Sequence, residues 1–157
     1  IRDSVATRGL GDVYKRQGLD KMKEAGIQYH AIIMQGIAGR GNSKQNAIET
    51  AKILNYYPPK GVYVMSTSVM DNTPLYDMRE RGEFIETTNR ENIEEQIYLL
   101  ENLDLPDDTL YSSAHMVNLV NMTHHLRKKD EMIDDLYFAL DNIDHDFLDK
   151  TNQRKAR

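Results

Sequence analysis

The chain has 157 residues, no cysteine and a formal net charge of −5. An acidic chain without a basic stripe does not favour binding to a nucleic-acid backbone, and the missing cysteines exclude disulfides and thiolate-ligated metals within it. The sequence has no apolar run long enough to span a bilayer and no signal-peptide pattern. We therefore expect a cytoplasmic protein with neither nucleic acid nor membrane as partner.

The first seventeen residues raise the question of whether they belong to the protein. The DNA string GATGTGTATAAGAGACAG encodes Asp12–Gln17 in one frame, and its tail encodes Ile1–Ser4 in another. This string resembles the transposon end used to prepare sequencing libraries. We expect residues 1–17 to be an assembly artefact without ordered structure, joined to a truncated gene, and exclude them from fold reasoning.

The central region alternates helices and strands. A helix ending at Gly26 precedes the apolar run Tyr29–Met34, which predicts a strand buried on both faces. After a glycine-rich turn, a second helix begins near Ser43 and stops before Pro58. Val62–Thr67 then predicts a second strand. Short α-β-α-β connections of this kind are typical of a parallel sheet with crossover helices.

Helical signals dominate the rest of the chain. A short helix with Pro74 at its first position should end near Gly82, and Thr88 and Glu91 predict a capping box on a longer one. Asp130 is expected to cap a last helix before a frayed tail from residue 151. Apolar spacing predicts the inward faces of the two long helices: Ile93, Ile97, Leu100 and Leu103, and Ile133, Leu136, Tyr137 and Leu140.

Two strong strand signals make a poor complete α/β domain, because parallel strands need neighbours on both edges. We therefore expect the chain to be the later part of a larger protein and to fold poorly alone, with an exposed strand edge and apolar faces.

The strongest local candidate for chemistry is the turn Gly36–Ser43, between a buried strand and a helix N-terminus. Glycines allow close backbone approach to a ligand, and free N–H groups at a helix start suit an anion. The turn lacks the Lys-Ser/Thr ending of a Walker loop and the spacing of the dinucleotide fingerprint. A tight turn that merely needs positive φ angles is an equal alternative.

Polar side chains elsewhere give weaker signals. His115 and Asn118 lie in a polar patch that could face a substrate, although packed and hydrogen-bonded side chains are the commoner outcome. His30 and the pair His124–His125 are interpreted as structural, and no metal site is expected. The acidic run Glu94–Glu95 is interpreted as a solvated helix face.

Four stretches, taken in order, resemble the later half of radical S-adenosylmethionine (radical SAM) enzymes. The similarity is to the branch that includes oxygen-independent coproporphyrinogen oxidases and cobalamin-associated radical enzymes. The turn Gly36-Ile37-Ala38-Gly39 is similar to the family's Gly-Leu-Pro-Gly-like turn after its fifth barrel strand, and Val62–Thr67 would be the sixth strand. Asn72–Tyr76 resembles a Gly-Thr-Pro-Leu-Tyr box, and Ser113, His115 and Asn118 resemble a Ser-x-His-x-x-Asn box.

The resemblance implies a fold and an activity. Residues 18–87 would be the last βα units of a partial (β/α) barrel, and residues 88–150 a C-terminal helical extension. The parent enzyme would reductively cleave S-adenosylmethionine at a 4Fe-4S cluster that receives its electron from an electron donor. The resulting radical would react with a small-molecule or cofactor-like substrate. The parent could also contain a cobalamin-binding domain. Implied contacts to S-adenosylmethionine are Gly36, Ile37, Ala38, Gly39, Met65 and Thr67, with His115 and Asn118 on the substrate side.

Two departures from the family pattern matter. Ala38 replaces the usual proline, and Arg40-Gly41 stand where an acidic residue or threonine is common. The family's Cys-x-x-x-Cys-x-x-Cys motif, which holds the cluster, is absent from this chain. The fragment is therefore expected to be inactive alone, with no catalytic residue and no metal ligand of its own.

Two other readings remain open. The turn Gly36–Ser43 could grip a phosphate in a phosphate- or nucleotide-binding α/β module, or in another phosphate-binding barrel enzyme.

Overall fold

The computed structural model describes residues 16–151. Helix α1 spans residues 16–24 and therefore includes the last two residues of the segment expected to be an artefact; residues 1–15 and 152–157 lie outside the described part. The remaining elements are β1 (His30–Gln35), α2 (Ser43–Tyr56), β2 (Gly61–Ser66), α3 (Pro74–Glu80), α4 (Asn89–Asn102), β3 (Leu110–Ser112), β4 (Thr123–His125), a 3-10 turn (Leu126–Lys128), α5 (Lys129–Asn142) and α6 (His145–Leu148).

The four strands form one mixed sheet in the order β1-β2-β3-β4. β1, β2 and β3 run parallel, with Ile32 opposite Tyr63 and Tyr63 opposite Ser112, whereas β4 runs antiparallel to β3. The predicted α/β class is confirmed. The helical description of residues 88–150 is wrong in one respect, since β3 and β4 lie in that region and complete the sheet.

The crossover helices α2 and α4 lie on one face of the sheet. Crossovers between parallel strands are right-handed in nearly all proteins, so strands added one after another in the same direction place their helices on the same side. α2 and α4 pack against each other and both contact β1. The core between sheet and helices includes Ala47, Ala51, Leu54, Val62, Val64, Ile93, Ile97, Leu100, Tyr111, Met132 and Leu136.

The opposite face of the sheet is open. In β1 the side chains of Ile32 and Met34 are 67% and 45% exposed, and Tyr63 in β2 is also exposed, whereas Ala31 and Ile33 point toward the helices and pack on the core. The expectation that β1 is buried on both faces is therefore wrong for the described part of the chain. We call this surface, centred on Ile32, Met34, Tyr63 and Met65, the open face.

The residues at which the helices begin and end are largely those that the sequence predicted. Gly26 ends α1 with a φ of +64°, and Pro74 follows the cap Thr73 at the start of α3. Helix α5 begins at Lys129 rather than with Asp130 as its cap, and Tyr137 is 48% exposed instead of inward, because Met132 and Leu136 carry the buried stripe. None of the helices within residues 16–151 combines the length and the apolarity that crossing a membrane requires.

The capping box on α4 gives a first testable prediction. Thr88 Oγ1 accepts from the Glu91 N–H at 3.1 Å, and the Thr88 N–H donates to Glu91 Oε2 at 2.9 Å. Since α4 carries much of the core, Thr88→Ala is expected to lower the free energy of unfolding by about 1 kcal/mol in urea denaturation. Thr73→Ala, which removes the cap of a seven-residue helix without a buried residue, should change it by less than half as much. Equal losses in the two variants would contradict this account.

Candidate functional site

The carboxyl ends of β1 and β2 meet a buried polar network. Gln35 Nε2 donates to Ser66 Oγ at 2.8 Å, and the Ser66 N–H and hydroxyl both donate to Asn118 Oδ1 at 2.7 and 2.9 Å. Asn118 Nδ2 donates to the carbonyl oxygens of Val64 and Ser113 at 2.7 and 2.6 Å. Asn118 is 0% exposed and joins β2 to the segment after β3. Its contact with a substrate stays a prediction.

The glycine-rich turn has the backbone conformation that its glycines indicated. Gly36, Gly39 and Gly41 have φ angles of +77°, +79° and +81°, a region that favours glycine. Two of the turn's N–H groups are bonded to carboxylates of α4: Gly36 donates to Glu95 Oε2 at 3.0 Å, and Gly41 donates to Glu91 Oε1 at 2.6 Å. The turn is thus fastened to α4 by its own backbone donors.

The glycines also permit close packing within the chain. A Cβ at Gly36 would lie 2.6 Å from Thr87 Oγ1 and 2.9 Å from Asn92 Oδ1. A Cβ at Gly39 would lie 3.3 Å from the carbonyl oxygen of Ile85. At both positions, the absence of a Cβ therefore lets the turn pack closely against the segment that leads into α4.

Glu95 is the main charged group under the turn. Its side chain is 3% exposed, so the interpretation of Glu94–Glu95 as a solvated face is wrong for Glu95. Oε1 accepts from Asn46 Nδ2 at 2.7 Å, while Oε2 holds Gly36. Burial raises the pKa of this carboxyl, and the hydrogen bonds from Asn46 and Gly36 oppose that shift only in part. A carboxylate in this position makes the turn less attractive to a second anion.

The raised pKa of Glu95 predicts a pH dependence of stability. The folded state binds the proton more tightly than the unfolded state, so the stability contributed by this group is present in acid and is lost as the pH rises from near the ordinary value of 4.5 through the folded pKa. Glu95→Gln mimics the protonated form and should gain stability relative to the parent chain as pH rises across this window. Glu49→Gln, which neutralises an exposed carboxylate that pairs with Lys52 on the surface of α2, is the control for removing a surface charge. Parallel stability curves for the parent chain and Glu95→Gln would contradict the assignment.

The residues implied as S-adenosylmethionine contacts are divided among separate surfaces. Gly36 and Thr67 border a shallow cleft with Phe84, whereas Ala38 borders an open depression at the start of α2. Ile37 is exposed at the tip of the turn, and Gly39 is buried. The fit to that cofactor is partial, because Ile37 and Ala38 offer exposed apolar surface while the Gly36 N–H is already bonded.

Met65 and His115, which the resemblance implies as a cofactor contact and a substrate-side residue, line one cavity on the open face. Its volume is about 340 Å³. The lining consists of His30, Ile32, Tyr63, Val64, Met65, Ser112, Ala114 and His115. The structure therefore brings one implied cofactor contact and one implied substrate contact together, and adds side chains from three adjacent strands.

His30 was interpreted as structural, yet it forms one wall of this cavity. Its ring lies over Gly61, where a Cβ would be 2.7 Å from His30 Nδ1. The ring centroid is 5.7 Å from that of Tyr63. Strand alternation alone puts His30 on the face of Ile32, but the pairing of His30 with Gly61 depends on the sheet register, which no local pattern specifies.

His115 is held by the loop after β3. Its N–H donates to the Ser113 carbonyl oxygen at 2.8 Å, and its Nδ1 is 3.5 Å from the Val117 nitrogen, which donates to it. With Nδ1 as an acceptor, a neutral imidazole carries its proton on Nε2 and can donate from there.

Within residues 16–151, no cluster of three or more His, Cys, Asp or Glu side chains could hold a metal ion. The chain also contains no cysteine, so a 4Fe-4S cluster does not fit its residues in the cysteine-ligated manner.

Comparisons of the chain with protein-family models, with curated proteins and with solved structures each found no match. The structure itself places the chain in the α/β class. Its mixed sheet carries crossover helices on one face and a cavity on the other.

Proposed function

We propose that the chain is the carboxyl-terminal part of a radical SAM barrel enzyme whose substrate binds on the open face. The observation that carries the proposal is the cavity on the exposed apolar face of the sheet, opposite α2 and α4, which is lined by both Met65 and His115. The order and spacing of the sequence stretches from Leu19 to Leu140 support the family.

The one-sided helix layer supports a barrel origin. A doubly wound sheet has helices on both faces, whereas in a (β/α) barrel the helices form an outer ring and the other face becomes the packed interior. Here consecutive parallel strands β1, β2 and β3 carry α2 and α4 on one side and exposed apolar side chains on the other. The antiparallel β4 would end the parallel run.

In this proposal the residues of the chain position and shield the reactants. Ile37 and Ala38 at the turn tip and Met65 on β2 would border S-adenosylmethionine, which supplies the radical chemistry when bound at the parent's cluster. His115 would donate from Nε2 to the substrate. Thr67, Gly36 and Gly39 would shape the cofactor side through the backbone, and Asn118 would hold β2 in place beneath it. The cysteine ligands, the electron donor and any cobalamin would belong to the parent.

The phosphate-binding alternative has less support. Two N–H groups of the turn already bond to Glu91 and Glu95, and both carboxylates would repel a phosphate. The glycines are used for packing within the chain. A structural role for the turn accounts for these contacts without an anion.

The proposal is tested on the full-length parent, anaerobically reconstituted with iron and sulfide and supplied with reductant. We expect formation of 5′-deoxyadenosine from S-adenosylmethionine, and we expect Met65→Glu to reduce it by more than about tenfold, equivalent to 1.4 kcal/mol. Met70→Glu, at an exposed methionine outside the cavity, should retain activity. A parent that forms no 5′-deoxyadenosine, or equal losses in the two variants, would refute the proposal.

A further inference from the structure

Among residues 16–151, no Asp, Glu, Lys or Arg lines the cavity on the open face. Burying a charged ligand group without a partner costs several kcal/mol. An ammonium group in this cavity would find no carboxylate as a partner, and a phosphate or carboxylate would find only the imidazoles of His30 and His115 and the phenol of Tyr63.

The size and surface of the cavity also indicate a class of ligand. Its volume of about 340 Å³ lies at the lower end of the range for small-molecule sites. The side chains of Ile32, Met65 and Ala114 supply apolar wall, and His30, Tyr63, Ser112 and His115 supply polar groups. Ser112 Oγ is already paired with Thr123 Oγ1 at 2.8 Å, which leaves the two imidazoles and the phenol as the groups that orient a ligand.

We propose that the cavity binds an uncharged, largely apolar small molecule, oriented by hydrogen bonds to His30, Tyr63 and His115. The assignment of this molecule as the substrate rests on the proposed function; the binding itself does not. Within that function, the substrate class would be an uncharged apolar compound with one or two hydrogen-bonding groups, bound beside the S-adenosylmethionine that Met65 borders.

The test uses the 157-residue chain and two fluorescent probes that share an aromatic body. N-phenyl-1-naphthylamine is uncharged, whereas 1-anilinonaphthalene-8-sulfonate carries a sulfonate. We expect saturable one-to-one binding of the uncharged probe, at least about tenfold tighter than that of the sulfonate, with amide shift changes in nuclear magnetic resonance confined to β1, β2, β3 and the loop after β3.

Matched variants locate the site. Ile32→Glu places a carboxylate on the cavity wall and should abolish binding of the uncharged probe. Phe138→Glu makes the same change on α5, at a side chain that is equally exposed at 67%, and should leave binding unchanged. Ile32→Lys should raise the affinity for the sulfonate above that of the parent chain, because a cation then lines the cavity. Circular dichroism verifies that each variant is folded.

Three results would overturn the inference: equal or tighter binding of the sulfonate by the parent chain, equal losses in Ile32→Glu and Phe138→Glu, or probe binding that falls as the chain dimerises with rising concentration. The last would mean that a second copy covers the open face. The proposed function fails separately, through the absence of 5′-deoxyadenosine formation by the parent. Probe binding by the chain and product formation by the parent therefore distinguish the two failures.

Discussion

Replacing Asn118 by alanine is expected to lower the free energy of unfolding by about 3–4 kcal/mol, since each buried polar group left without its partner costs roughly 1–3 kcal/mol. The Ser66 N–H and the carbonyl oxygens of Val64 and Ser113 would lose their hydrogen bonds to this side chain. Urea denaturation followed by circular dichroism measures the loss.

Two further variants separate the network from a general effect of shortening an asparagine. Asn102→Ala removes an exposed side chain that bonds only locally to the Tyr98 carbonyl oxygen, and should cost less than about 0.5 kcal/mol. Asn118→Asp keeps the acceptor for Ser66 but sets a carboxylate against two carbonyl oxygens, so it should be less damaging in acid than at neutral pH. If Asn118→Ala were as stable as Asn102→Ala, the claim that Asn118 stabilises the fold by joining β2 to the segment after β3 would be wrong.

The second large effect is expected at Gly36. Gly36→Ala adds a Cβ within 3 Å of Thr87 and Asn92 at a φ of +77°, so steric displacement adds to backbone strain. We expect a loss of about 3 kcal/mol, of which the left-handed conformation accounts for roughly 1–2 kcal/mol.

Gly41 provides the matched control for this substitution. It has a similar φ of +81°, but a Cβ there would meet nothing within 4 Å. Gly41→Ala should therefore cost only the conformational strain, and the difference between the two variants in urea denaturation measures the packing of the turn against α4. Equal losses would mean that the contacts of Gly36 with Thr87 and Asn92 contribute nothing to stability.

The elements that the sequence predicted well are those with local signals. Four features each specify structure within a few residues: the apolar run at β1, the prolines that stop α2, the Thr73–Pro74 start of α3 and the capping box at Thr88. Side chains within one turn or one strand are enough to produce them, so no knowledge of the tertiary fold is needed.

β3 and β4 were missed because their formation depends on distant partners. Each has three residues, and Thr123–His125 shows no apolar alternation. Tyr111 in β3 is fully buried because it pairs beside Val62 and donates its hydroxyl to Gln96 Oε1 on α4 at 3.2 Å. These contacts join parts of the chain that lie 15 to 49 residues apart, beyond the reach of periodicity.

The candidate site was predictable only in part for the same reason. The glycine turn and His115 stood out as residue types, but the partners of the turn did not. Glu91 was predicted only as part of the capping box, and Glu95 was interpreted as part of a solvated helix face. Burial of Glu95 follows from packing of α4 against α2 and β1. His30 joined the cavity through sheet register with Gly61, which the strand sequence does not encode by itself.

The most direct test of the central claim, that this chain is the carboxyl-terminal part of a radical SAM barrel, is a sequencing read of the intact gene that crosses the codon for Gly18. The account predicts that residues 1–17 are replaced by coding sequence that supplies earlier βα units and a Cys-x-x-x-Cys-x-x-Cys motif upstream, at a distance of about half a barrel. An intact gene that retains residues 1–17, or upstream coding sequence without cysteines, would contradict it.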